Sequence, residues 1–229
     1  MISRARRLSF FALYALLTVG LIQCGKSEPE EKESLAETLL LEDNQSLLFN
    51  GENLNGWKIT NFGPQGPVRV DEHAVILGMG DGCTGIHYLK KFPAEKYRVS
   101  LQAMRITGRD FFWGMTFPVG NEYCSFIVGG WGGSLVGISS IDGLDASENF
   151  TTEHMNFESG QWYDIDVSVT NDSILAWINE ERMVSVGRAG HSFSTRPEVN
   201  LSRPLGFCSW MTTAALRNIV LTHPIGNKG

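Results

Sequence analysis

The sequence predicts an all-β fold, a jelly-roll sandwich of two antiparallel sheets, on three observations. Tyr97-Arg-Val99-Ser-Leu101-Gln-Ala103 and Tyr163-Asp-Ile165-Asp-Val167-Ser-Val169 alternate apolar and polar residues, the period of a half-buried strand. Short β-prone runs recur along the chain between Gly, Asn and Asp turns, among them Asn171-Asp172 and Asn179-Glu180. After Ser46 no apolar pattern of period 3.6 lasts three turns, which removes helix as the main element. A dozen strands this short close most readily as two packed sheets.

In chain order the expected strands are Val68 to Val70, Ala74 to Leu77, Gly85 to Leu89, Tyr97 to Arg105, Phe111 to Phe117, Tyr123 to Val128 and Leu135 to Ser139. Tyr163 to Val169, Ile174 to Ile178, Met183 to Val186, Leu205 to Ser209 and Ala215 to Leu221 follow. With Tyr163, Ile165 and Val167 inward, Trp162, Asp164 and Asp166 face the other side, a solvated file of carboxylates.

The segment before this domain has a different chemistry. Arg4, Arg6 and Arg7 precede the apolar run Phe10 to Ile22, and Cys24 follows, so residues 1–24 read as a secretory leader too short for a stop-transfer helix. Leu21-Ile22-Gln23-Cys24 resembles a bacterial lipobox, with Gln23 where a small residue is usual, which makes Cys24 the expected lipidation site and the cell envelope the expected location. Residues 25–46 are polar and acidic, a solvated tether. The folded domain is expected over 47–222, with a tail at 223–229. The net charge of −6 divides into +3 on the leader, −5 on the tether and −4 on the remainder. No basic stripe exists, which argues against nucleic acid as a partner. Cys83, Cys124 and Cys208 match no zinc-ribbon spacing; one pair is expected to bridge neighbouring strands, and the sequence does not choose which.

The most informative stretch is Tyr123 to Asn149. A short strand runs into Gly129-Gly130-Trp131-Gly132-Gly133, and an acidic loop, Asp142 to Asn149, follows. Glycines cost backbone entropy, so four around one tryptophan mark a sharp turn or a close approach that holds out an aromatic face. An aromatic face near carboxylates suits a sugar ring; the same residues equally suit a bulge capped by a tryptophan. Asp142, Asp145 and Glu148, three residues apart, read in three ways: oxygen ligands for a divalent cation such as Ca²⁺, contacts or acid/base groups for a sugar, or a solvated turn. No EF-hand spacing is present, and no Glu-x-Asp-x-x-Glu strand supplies the paired carboxylates of a retaining glucanase. His87 and His154 are the histidines considered as base or ligand.

The opening Leu48-Phe49-Asn50-Gly51, followed by Leu54 and Gly56-Trp57, and the closing Leu216-Arg217-Asn218-Ile219 resemble the 3-keto-disaccharide hydrolase family, also known as domain of unknown function 1080. The resemblance covers about Leu47 to Leu221 and implies a concanavalin A-like jelly roll that cleaves glycosides already oxidised at C3. A ketone at C3 acidifies the C2 hydrogen, so such a site needs a base, a group that polarises the ketone and a stacking surface. The family's Asn-Ser-Gly-Ile segment and acidic strand are replaced here by Phe111-Phe-Trp113-Gly-Met-Thr-Phe and Tyr123-Cys-Ser-Phe-Ile-Val. A rebuilt site is therefore expected. Its candidate catalytic residues are Asp145, Glu148 and His87, and its candidate substrate contacts are Trp113, Trp131, Asp142 and Arg105. Two functions follow, a hydrolase or lyase of 3-keto-glycosides and a non-catalytic carbohydrate-binding or structural envelope lipoprotein.

Overall fold

The computed structural model describes residues 41–224. The leader, Cys24 and most of the tether lie outside these residues. Two antiparallel sheets carry the described chain, so the expected sandwich is present. The larger runs in the order β13 (Glu181–Gly187), β12 (Ser173–Ile178), β11 (Trp162–Val169), β6 (Tyr97–Gly108), β15 (Thr212–Thr222), β4 (Ala74–Leu77) and β3 (Val68–Asp71), with β1 (Gln45–Leu47) beside β15. The smaller runs β10 (Glu153–His154), β9 (Leu135–Ser139), β8 (Glu122–Gly130), β7 (Trp113–Val119), β14 (Gly206–Trp210), β5 (Cys83–Tyr88) and β2 (Trp57–Ile59). Every expected run is a strand. The three strands not expected, β1, β2 and β10, have 3, 3 and 2 residues, too few to display a period of two.

Inward positions of the two sheets meet in one core. On the larger sheet Val167 pairs with Val99, Ile165 with Leu101 and Tyr163 with Ala103, all buried. On the smaller sheet Phe207 lies opposite both Ile86 and Met115, and Met115 opposite Phe126. The outer face of the larger sheet carries the solvated ladder that alternation predicts: Gln102 donates to Asp164 at 2.9 Å and Arg98 to Asp166 at 2.8 Å. Exposed pairs of this kind contribute about 0.2–1 kcal/mol each, so they set register more than stability.

The outer face of the smaller sheet is different. Direct cross-strand pairing aligns His87, Gly206, Thr116, Ser125 and Ser139 in one row across five strands. A chain segment covers part of that row. It pairs with the end of β9 through Ser140 and Ser194, then enters a 3₁₀ turn at Pro197–Ser202 that packs on β5 and β14. A Cβ at Gly206 would stand 2.5 Å from the Ser202 carbonyl oxygen, so this strand position must be glycine for the segment to cross. What the segment leaves open is a cleft.

Candidate functional site

The hairpin between β8 and β9 turns through Trp131 and Gly132, with φ of +46° and +91°, and the Gly133 N–H closes it on the Gly130 carbonyl at 3.1 Å. Positive φ at both central residues is the pattern of a type I′ turn, which matches the twist of paired strands. Tryptophan is a poor occupant of left-handed backbone, at a cost of roughly 1–2 kcal/mol. The fold holds it there all the same, 44 % exposed. The turn thus presents an aromatic face to solvent.

The turn is held from the other sheet. Arg105 of β6, 7 % exposed, reaches past the end of the core and donates from Nη2 to the Gly133 carbonyl at 2.8 Å and to that of Gly129 at 3.4 Å. Its Nη1 donates to the Phe157 carbonyl at 3.3 Å, and its guanidinium lies 5.2 Å from the Phe112 ring centroid. Gly129, at φ +75°, has no room for a side chain, since a Cβ would come within 2.6 Å of Arg105 Nη2. Burial lowers the Arg105 pKa from its ordinary value.

Beside this turn lies a cleft of about 210 Å³. Ser125, Ile127 and Ser139 form its strand floor, Trp131, Phe111 and Trp210 give it aromatic surface, and Arg196 and Glu198 bring charge from the crossing segment. The volume falls below the roughly 300–1,000 Å³ of drug-sized pockets, which makes it room for a single ring. Asp110 also lines it; its Oδ1 accepts the Phe111 N–H at 2.7 Å, and its Oδ2 has no partner among the described residues. Ser139 Oγ is fully buried and lacks a hydrogen-bond partner among the described residues, an unusual state for a hydroxyl in a cleft floor.

Arg196 organises the charge. Its Nη2 donates to Glu198 Oε1 at 3.1 Å, and its Nη1 pairs with Asp145. The Glu198 carboxylate, and after it Asp145, push the Arg196 guanidinium pKa up, and the hydrogen bond from Arg196 pulls the Glu198 carboxyl down. Glu198 is therefore ionised at neutral pH. Asp145 comes from the acidic loop, which is built around buried Asn149: Nδ2 donates to the carbonyls of Ile138 at 2.7 Å and Asp145 at 2.8 Å, and Oδ1 accepts the Thr151 N–H at 2.9 Å.

The expected site residues separate accordingly. Trp131 lines the cleft, and Asp145 stands behind Arg196 as its anchor. Trp113 is fully buried in the core, its ring 5.7 Å from that of Phe126 and 6.1 Å from that of Phe207, so it presents no face to a ligand. Arg105 is a structural clamp: Nη1 and Nη2 donate to backbone carbonyls, and its buried Nε has no partner among the described residues. Asp142, at φ +52°, accepts from Ser192 N–H at 2.8 Å and pairs with His191 Nδ1 at 2.6 Å; those bonds lower its pKa and hold the loop to the crossing segment, outside the cleft. Glu148 is exposed, with no ion-pair partner among the described residues. His87 shares the outer-face row but stands three strands from Ser125, about 14 Å at the usual inter-strand spacing. It bonds Thr60 at 2.9 Å, and burial and then Lys58 lower its pKa. Among the described residues no three His, Cys, Asp or Glu side chains are gathered as a metal site, and the carboxylates of the acidic loop do not converge.

Arg196, Glu198, Asp110, Phe111 and Trp210 were not signalled by the sequence. Arg196 and Glu198 occupy an irregular crossing segment without periodicity. Phe111 and Trp210 sit where a strand begins or ends and resemble core residues in composition. The nearest available signal was the Arg-Pro-Glu triplet at Arg196 to Glu198, two opposite charges flanking a helix-initiating proline.

No curated protein matches the chain in sequence. Solved structures share its fold at low identity. A candidate glycosyl hydrolase from Parabacteroides distasonis superposes with a TM-score of 0.52 at 16 % identity over 80 % of this chain and 94 % of that one. A galectin-like protein of unknown function from Bacillus subtilis gives 0.57 at 10 %, covering 78 % and 94 %, and a carbohydrate binding module, CBM66, from the same organism gives 0.51 at 11 %, covering 74 % and 97 %. The 3-keto-alpha-glucoside-1,2-lyase-like domain matches residues 44–222, nearly the whole sandwich with both its opening and closing motifs, and the chain belongs to that carbohydrate-active, hydrolase/lyase-like family.

Proposed function

We propose that the cleft binds a glycoside oxidised at C3 and eliminates its C1 substituent. The observation that carries this reading is the Arg196–Glu198 pair set in a one-ring cleft beside the exposed face of Trp131. Elimination requires an electrophile on the C3 oxygen and a base at the adjacent C2, and a guanidinium bonded to a carboxylate supplies both side by side. Arg196 donates to the ketone oxygen, Glu198 takes the C2 proton, and the C2–H electrons become the C1=C2 double bond as the C1–O bond breaks. The departing oxygen collects a proton from solvent, and water adding across the double bond completes hydrolysis. Asp145 keeps the guanidinium in place, Asp110 accepts a sugar hydroxyl, and Trp131 stacks on the ring. The family match supports the 3-keto substrate class, and the carbohydrate binding module among the structural neighbours supports a glycan as ligand.

Incubating the purified protein with 3-keto-trehalose or a 3-keto aryl glucoside, with and without divalent metal, tests this reading. Release of the aglycone is expected. No release under any condition removes the catalytic reading. The strained presentation of Trp131 favours a second reading, retention without turnover, and a glycan array on wild type and Trp131→Ala distinguishes it. The leader and Cys24 support an envelope-anchored location, tested by incorporation of labelled palmitate that Cys24→Ala abolishes.

A further inference from the structure

Cys83 and Cys208 lie side by side beneath the cleft. Pairing of β5 with β14 sets Trp210 opposite Cys83 and Cys208 opposite Gly85, which makes the two cysteines diagonal neighbours with side chains on the same face. Gly85 opens the space between them, since a Cβ there would stand 2.8 Å from the Cys208 Cβ. The two cysteines belong to one small buried cluster, 3 % and 2 % exposed, with Val199 of the crossing segment. Only Cys83 of the pair is also part of the cleft lining. Cys124 is placed otherwise: it faces the core from β8, opposite Phe117, fully buried. An isolated buried cysteine behaves as a small hydrophobe, and Cys124 fits that description. Two thiols on adjacent strands in one buried cluster, one of them in the lining of an open cleft, do not.

We infer that Cys83 and Cys208 form an oxidation site, at which a peroxide entering the cleft closes the pair into a disulfide that staples β5 to β14. In the first step the Cys83 sulfur attacks one peroxide oxygen. The S–O bond forms, the O–O bond breaks, and the second oxygen leaves as water with the thiol proton, giving a sulfenic acid. In the second step the Cys208 sulfur attacks the Cys83 sulfur. The S–S bond forms, the S–O bond breaks, and the oxygen leaves as water with the Cys208 proton. Two thiols and one hydrogen peroxide become one disulfide and two waters, a two-electron oxidation.

The full-length chain, treated with hydrogen peroxide under native conditions, alkylated and mapped by mass spectrometry, tests the inference without reference to activity. A linked peptide joining Cys83 to Cys208 is expected, with Cys124 left to the alkylating reagent. In Cys208→Ala the link is lost and Cys83 is trapped as a dimedone adduct; in Cys83→Ser, Cys208 stays reduced. Separate alkylation of both cysteines after peroxide overturns the inference. So does oxidation of Cys83 to the sulfinic acid while Cys208 is present, or a link from either cysteine to Cys124; these outcomes are read on the wild-type chain and do not depend on a variant folding.

Discussion

Arg105 Nη2 lies 2.8 Å from the carbonyl oxygen of Gly133, so a charged side chain rooted in the eight-stranded sheet fixes the turn that presents Trp131 on the other. Replacing it with methionine keeps much of the volume and leaves the Gly133 and Phe157 carbonyls without their donor. Each buried orphan carbonyl costs about 1–3 kcal/mol. Arg105→Met is expected to lower stability by about 2–4 kcal/mol in urea unfolding and to make the turn around Trp131 exchange its amide hydrogens faster.

The two tryptophans that flank β7 and β8 are expected to respond in opposite ways. Trp113→Ala empties a fully buried site and should cost about 3–5 kcal/mol. Trp131→Gly relieves left-handed backbone and should leave stability unchanged or raise it by up to about 1 kcal/mol, while glycan retention is lost. Denaturation midpoints beside array signals check both.

Acid should weaken the fold through His87. Its folded pKa is depressed by burial and then by Lys58, so the folded protein binds fewer protons than the unfolded chain below the ordinary imidazole value of about 6.5. The stability this contributes is fully present above that pH and is lost as pH falls through the folded pKa. In His87→Gln the difference between urea midpoints at pH 7 and pH 5 should shrink.

Asp145 acts on the cleft through Arg196. Asp145→Asn preserves shape and removes the charge that anchors the guanidinium. On a 3-keto aryl glucoside kcat should fall by up to about 100-fold, the effect of a misplaced group, with the pH profile and the unfolding midpoint near wild type. A change confined to the unfolding midpoint would make Asp145 structural alone.

The fold was legible because strands facing one core announce themselves by alternation, as β6 and β11 do. The cleft was less so. Trp113 and Trp131 were both expected to offer a ring to a ligand, and what separates them is backbone sign and burial: Trp131 takes positive φ on a glycine-bracketed turn, whereas Trp113 sits on β7, where both faces are covered and alternation is erased. Arg105 reads as a free cation in sequence because its partners are main-chain carbonyls about 25 to 50 residues downstream, which carry no side-chain signature. Arg196 and Glu198 gain meaning only from a crossing over the sheet that no local pattern encodes. Asp145 was visible as an acid in a suggestive loop, and its role depends on a partner 51 residues downstream.

Glu198→Gln tests the proposed chemistry most directly. It keeps the shape of the cleft wall and a hydrogen-bonding group beside Arg196, but removes the base. Cleavage of a 3-keto aryl glucoside should fall by at least about 100-fold in kcat while binding, followed by tryptophan fluorescence, is retained. Turnover at the wild-type rate in Glu198→Gln would contradict the assignment of the Arg196–Glu198 cleft as the place where the glycoside is cleaved.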